Sequence, residues 1–217
     1  MSKTLVVVLT HPAGSGILQR NWPWILRCGC DVAVINHEGV PFPNFLTQGT
    51  MFTGIGQDPR TEQFGHVGRF MKVLEWCLKQ EKYRSFCTIE GDSIFVRPLP
   101  AHPGGLVTTL AGHRSPGFHG THFYHCVWWS SHRAAEKILR YGKRMLTAEL
   151  SEGGMIDRFL GLMADLYPID ISPAQWYTRN SILPEHYEEA RRAINLGAWG
   201  CHGVKTEECL RAITEGL

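Results

Sequence analysis

The chain has 217 residues, 43% of them hydrophobic and 19% charged, with a formal net charge of +2. This fits a globular protein with a proper core, and the charge is too small to demand a polyanionic partner by itself. No apolar run approaches the ~18 residues needed to span a bilayer, and Leu5 to Leu9 is too short for a signal-peptide core, so the expectation is a soluble, cytoplasmic protein.

The first element is Thr4 to Thr10, a β-rich run of the kind found in central parallel strands. It ends in Thr10-His11-Pro12-Ala13-Gly14-Ser15-Gly16, before a helix expected over about 17–28. Such a loop reads either as an ordinary strand-to-helix connection or as a cradle for an anion at the helix start. Asp31 to Asn36 reads as the second strand, and the β–α–β order predicts a parallel sheet with a right-handed crossover. Residues 37–60 are rich in Gly, Pro, Phe and Thr without a clear period, and read as a loop that shapes or covers a site. Phe64, Val67, Phe70, Met71, Leu74 and Leu78 recur at helical spacing, predicting a helix to Lys82 that carries Arg69 and Lys72 near its middle.

The next stretch is the most informative. Phe86 to Ile89 has the character of a buried strand, and Ile94 to Val96 reads as another fragment stopped by Pro98. Between them stand Glu90 and Asp92, separated only by Gly91. The bland reading is a tight turn. The functional reading places hard oxygen ligands at the carboxyl edge of a sheet, where open α/β sheets bind ligands and where a carboxylate pair can hold Mg²⁺ or Mn²⁺.

Gly105 to Leu110 and Phe123 to Ser130 read as further strands. Between and within them lie His113, His119, His122 and His125. Alternation along a strand would point His119 and His125 away from His122, so polar contacts to a ligand are favoured over a second metal site. Trp128 and Trp129 should point opposite ways, one into the core and one toward a ligand ring. A helix from Ser131 or His132 to about Leu146 aligns Arg133, Lys137, Arg140 and Arg144 on one face, opposite Ala135, Ile138, Gly142 and Met145. That face is either a solvated surface or a stripe that tracks phosphates. A further helix runs to Asp165, a short strand is expected at Tyr167 to Ile171 and a loop from Pro173 to Pro184. Another helix ends at Leu196-Gly197, and Thr206 caps the last. The seven cysteines are odd in number and lack a Cys-x-x-Cys, which argues against a disulfide framework or a structural zinc; Cys28-Gly29-Cys30 reads as a helix-to-strand turn.

Thr88-Ile89-Glu90-Gly91-Asp92-Ser93-Ile94-Phe95-Val96-Arg97-Pro98-Leu99 resembles the GT-A glycosyltransferases, in which a hydrophobic strand ends in an Asp-x-Asp-type metal motif followed by Arg-Pro-Leu. His202 and Lys205 look like the C-terminal His that completes the metal shell in several of these families and the Lys that contacts the diphosphate. The resemblance implies an α/β fold, a single Rossmann-like domain over 1–217 with a mostly parallel sheet flanked by helices. Residues 1–100 would form its nucleotide-sugar half and 101–217 its acceptor half. It implies Asp92 and His202 as ligands of Mn²⁺ or Mg²⁺, with Glu90 reaching the metal through water or binding the donor ribose. Thr10, His11, Arg69, Lys72 and Lys205 would line the donor, a nucleotide sugar with UDP-glucose in first place. Asp157, then Glu152 and Glu149, are candidates for the base of an inverting reaction. The expected acceptor is a hydroxymethylated base in DNA, as in phage DNA-modifying enzymes, in a bacterial or phage-infected cell. Alternatives are a lipid-linked or lipopolysaccharide sugar, a protein, a metal-dependent hydrolase or nuclease built on the histidines, and a non-catalytic sugar- or nucleic-acid-binding module.

Overall fold

The computed structural model describes residues 3–46, 49–56, 65–110, 123–145 and 156–217. These form an α/β structure around a seven-stranded, mostly parallel sheet. Strands β1 (Thr4–Leu9), β2 (Asp31–Asn36), β3 (Met51–Gly54) and β4 (Ser85–Glu90) run parallel in the spatial order β3-β2-β1-β4. Next to β4 lies β7 (Phe123–Ser131), antiparallel, followed by β6 (Leu106–Leu110), antiparallel to β7, and β8 (Ile171–Pro173), parallel to β6.

Strand alternation divides the core. Leu5 and Val7 of β1 face one side, with Ala33 and Ile35 of β2. There they pack against α2 (Gly65–Leu78), α3 (His132–Met145) and α4 (Ile156–Leu166). Val6 and Val8 face the other side with Val32 and Val34, against Leu18, Trp22 and Ile25 of α1 (Ser15–Ile25). This is the arrangement expected of strands buried on both faces. A smaller three-stranded sheet has the order β5 (Ile94–Phe95), β10 (Gly200–His202), β9 (Trp176–Thr178), with β10 antiparallel to β5. Helices α5 (Tyr187–Asn195) and α6 (Glu207–Thr214) cover it. Thr206 does cap α6, its Oγ1 accepting from the Cys209 amide at 3.1 Å.

Several elements differ from the sequence expectation. The stretch expected to be loop between 37 and 60 contains β3, whose four residues are too few to show a period but pair with the edge of β2. The strand expected at Tyr167–Ile171 begins only at Ile171, because the Tyr167 amide still closes α4 onto Met163 and Pro168 then turns the chain. β9 lies in a stretch expected to be loop. Trp128 and Trp129 do point to opposite faces, yet both are buried in core, so neither is available to a ligand ring. Trp128 meets Phe70, and Trp129 meets Trp199 and donates its indole N–H to Ser85 Oγ. The face of α3 that carries Ala135, Ile138, Gly142 and Met145 is buried, as its spacing requires. No helix of the described residues is long and apolar enough to cross a membrane.

Candidate functional site

The site is built at the carboxyl ends of β1 and β4. Leu9 and Glu90 are register partners at the last step of the two strands. The chain leaves β1 toward β2 on one side, and β4 lies on the other, so a crevice opens between the strand ends. This is the switch point at which open α/β sheets bind ligands. The Gly91 amide donates to Leu9 O at 3.0 Å, and the Ser93 amide returns to Glu90 O at 3.0 Å. That turn presents Glu90 and Asp92 together at the rim.

The third member arrives from 110 positions further along the chain. β10 pairs with β5 through Gly200↔Phe95 and Cys201↔Ile94, which carries His202 over the turn. His202 Nε2 stands 3.0 Å from Glu90 Oε2 and 3.1 Å from Asp92 Oδ1. Two glycines permit this approach. A Cβ on Gly200 would lie 2.1 Å from Ile94 O, and one on Gly203, whose φ is +92°, would lie 2.3 Å from Arg179 O. The Val204 amide donates to Asp92 O at 2.9 Å, which closes the two segments on each other.

Hydrogen bonding sets the protonation of His202. Its Nδ1 lies 2.9 Å from Arg179 O; a carbonyl only accepts, so Nδ1 carries a proton. Nε2 faces two carboxylates and donates to Glu90 Oε2 at 3.0 Å. The ring is therefore an imidazolium. Burial alone would lower its pKa, but the close contacts and charges of Asp92 and Glu90 override that and raise it to about 9. Asp92 is shifted down: its burial opposes the charge, but His202 and Lys205 outweigh burial. Lys205 Nζ is 3.6 Å from Asp92 Oδ2, on a side chain that is 44% exposed.

This donor set suits a divalent cation. Glu90, Asp92 and His202 offer ligand atoms within 4.8 Å of one another. Asp92 Oδ1 is buried and accepts no hydrogen bond, despite its closeness to the imidazole. An orphaned carboxylate oxygen, a second carboxylate and a buried imidazole thus share one point. The Arg179 carbonyl on Nδ1 is the outer contact that orients a ligating imidazole toward a metal through Nε2. Oxygen with imidazole suits Mn²⁺, or Mg²⁺ where carboxylates dominate.

A cavity of about 440 Å³ opens beside the cluster, lined by Thr10, His11, His37, Arg69, Glu90, Asp92 and Lys205, among others. Six sequence-predicted residues, Thr10, His11, Arg69, Glu90, Asp92 and Lys205, therefore share one wall. His202 completes the cluster behind the carboxylates. Arg69 is buried, and its guanidinium donates to Thr10 O at 2.9 Å and Ile35 O at 3.2 Å, leaving Nε without a partner. It braces the ends of β1 and β2 from inside the cavity. Lys72 is not among the lining residues; its ammonium holds Gly56 O at 3.1 Å. Gly91 needs no special conformation, since a Cβ there would meet Leu18 and Thr10 only at 3.5 Å or more. Glu149 and Glu152, like His113, His119 and His122, lie outside the described residues, as do the side chains of His125 and Asp157; Asp157 itself falls in the first turn of α4.

Two contributors escape the sequence reading. Asn21 of α1 is fully buried and donates Nδ2 to Val204 O at 3.0 Å and Gly91 O at 3.5 Å, bridging the two segments that carry the ligands. Its signal was a polar residue inside the apolar stripe Leu18, Trp22, Ile25. His37 lines the cavity with its Nε2 3.4 Å from the Arg69 guanidinium; it sat in a stretch with no period to mark it. A second depression of about 630 Å³ between α5 and α6 is lined by Arg191, Glu207, Arg211 and Glu215, among others. Arg191 pairs with Glu215 and Arg211 with Glu207, so no free ligand set converges there. No family model and no curated protein sequence matches this chain.

Proposed function

We propose that the chain is a glycosyltransferase of GT-A type, moving a sugar from a nucleotide sugar of the UDP-glucose class to an acceptor hydroxyl. The observation that carries this reading is the convergence of Glu90, Asp92 and His202 at the β1/β4 switch point, on a cavity that also holds Lys205 and Arg69. Asp92, His202 and Glu90 would hold Mn²⁺ or Mg²⁺, and Lys205 lies beside them. A bound divalent ion there supplies counter-charge to the diphosphate of the donor and of the leaving nucleotide. The Lys205 ammonium adds positive charge on the same side of the cavity. Thr10, His11 and His37, at the ends of β1 and β2, form the wall for the nucleoside. Asp157 is the proposed base if the reaction inverts.

The test is a thermal-shift panel of nucleotide sugars with and without Mn²⁺. A ligand that binds the folded state raises Tm according to RT ln(1 + [L]/Kd). The reading expects one donor class to stabilise the protein only with metal and Asp92→Asn to abolish that gain. Stabilisation by a nucleotide sugar equally in EDTA would remove the metal from it, and binding without any transfer or donor hydrolysis would favour a non-catalytic module.

For the acceptor we propose nucleic acid, specifically a hydroxymethylated base in DNA. α3 carries Arg133, Lys137, Arg140, Lys143 and Arg144 against Glu136 alone, a net +4, while the whole chain is +2, so the remainder sums to −2. Lys137 is held on Pro168 O and Lys143 on Glu75, while Arg133, Arg140 and Arg144 of the face are exposed. The target base would be flipped out of the duplex to reach the cavity. Replacing Arg133, Lys137, Arg140 and Arg144 by Gln should weaken DNA binding and flatten its salt dependence. An unchanged salt slope would return the acceptor to a lipid-linked sugar or a protein.

A further inference from the structure

At the opposite edge of the sheet from Glu90 lies a pair of thiols that the proposed transfer does not use. Cys28 ends the 3-10 turn Leu26–Cys28 after α1, Gly29 turns the chain in the left-handed region at φ 69° and ψ 18°, and Cys30 leads into β2. We propose that Cys28 and Cys30 form a redox-active dithiol that a low-molecular-weight disulfide closes to an intramolecular disulfide.

The backbone already has the required span. In helical geometry of either hand, Cα atoms two residues apart lie about 5.4 Å from each other. Disulfides join Cα atoms about 4.4–6.8 Å apart. The sulfurs also face the shared turn. The Cys30 amide donates to Cys28 Sγ at 3.4 Å, the Cys28 thiol reaches Cys30 O at 3.8 Å, and the Cys30 thiol reaches Cys28 O at 3.6 Å. The Leu99 amide fixes the Cys28 carbonyl at 3.0 Å, so the turn is held in this shape.

The two thiols are not equivalent. Cys28 is 1% exposed, whereas Cys30 is half-buried and open to solvent. The side chain of Cys30 beside it pushes the Cys28 pKa up, with burial adding to it. The neighbouring Cys28 side chain pulls the Cys30 pKa down against the effect of burial. An accessible thiol of lowered pKa beside a buried partner is the arrangement of an attacking and a resolving cysteine. Cys87 on β4 is fully buried and its pKa is driven up by burial, so it does not compete as a nucleophile.

The chemistry balances with glutathione disulfide as the oxidant. The Cys30 thiolate attacks one sulfur of glutathione disulfide, breaking its S–S bond and releasing one glutathione thiolate. The Cys28 sulfur then attacks Cys30 Sγ and expels the second glutathione, which takes the Cys28 proton. The protein gives up two electrons, and one small disulfide becomes two thiols.

The test uses the full reduced chain. It is treated with glutathione disulfide, trapped with N-ethylmaleimide and mapped by peptide mass. The expected product is a peptide holding Cys28 and Cys30 without maleimide, lighter than its dithiol by two hydrogens. Cys28→Ser should stop at a glutathione adduct on Cys30, and Cys30→Ser should form no adduct at Cys28. Should either variant fail to fold, the parent chain decides alone: Cys30 should react with N-ethylmaleimide about tenfold faster than Cys77, Cys87 or Cys201. A parent chain that keeps a stable glutathione adduct on Cys30, or leaves both thiols free, overturns the proposal. Neither result depends on glycosyl transfer.

Discussion

The buried imidazolium of His202 makes the metal-free protein lose stability as pH rises. Its folded pKa of about 9 stands above the ordinary 6.5. A group whose folded pKa is raised contributes stability that is complete below the unfolded value and lost as pH rises through the folded value. The window therefore runs from 6.5 to about 9. A difference of about 2.5 pH units at about 1.36 kcal/mol each gives a loss on the order of 3 kcal/mol. The lowered pKa of Asp92 reflects the same contact and is counted once. The assay is urea unfolding in EDTA at about pH 6 and about pH 10, for the parent and for His202→Gln, which cannot titrate. Other groups titrate in this range in both proteins, so the difference between the two is what matters. The parent should lose on the order of 3 kcal/mol more than the variant. Equal losses would refute the imidazolium assignment. Mn²⁺ must displace the Nε2 proton, so its apparent affinity for the parent should rise about tenfold per pH unit up to about pH 9.

Three substitutions probe the remaining parts. Asn21→Ala strips a donor from the Val204 and Gly91 carbonyls and should cost about 1–3 kcal/mol in urea unfolding, with Mn²⁺ affinity falling as well; unchanged metal affinity would reduce Asn21 to a packing residue. Lys205→Ala should raise the Kd for a nucleotide sugar about tenfold, the scale of one charged hydrogen bond, while the Kd for Mn²⁺ moves little; isothermal titration separates the two. Gly203→Ala places a Cβ 2.3 Å from Arg179 O at a φ of +92°. It should destabilise the protein by about 2 kcal/mol or more and displace the carbonyl that orients His202, seen as a lower Tm and weaker metal binding together.

The sequence made the parallel half of the sheet legible because β1, β2 and β4 are buried on both faces, and their apolar runs carry that signal without tertiary information. Glu90 and Asp92 could be placed at a strand end for the same reason. The contact of His202 with them was legible only through the family resemblance. It depends on β5 and β10, two and three residues long, whose pairing leaves no period in the sequence. β3 and β9 were hidden for the same reason. Asn21 could not be assigned its role because a buried polar side chain announces a hydrogen bond but not its acceptors, which here lie 70 and 183 residues away. Trp128 and Trp129 show the opposite error. Alternation correctly sent them to opposite faces, but Phe70 of α2 covers Trp128, and Trp199 and His102 cover Trp129, so neither reaches a ligand.

The proposed function rests on Glu90, Asp92 and His202 forming one metal site. The most direct measurement is a Mn²⁺ titration followed by electron paramagnetic resonance at about pH 8, on the parent, Asp92→Asn and His202→Ala. One Mn²⁺ per parent chain is expected, with binding weakened about 100-fold or more in each variant while the far-UV circular dichroism stays the same. No stoichiometric Mn²⁺ in the parent, or equal binding in all three proteins, would contradict it.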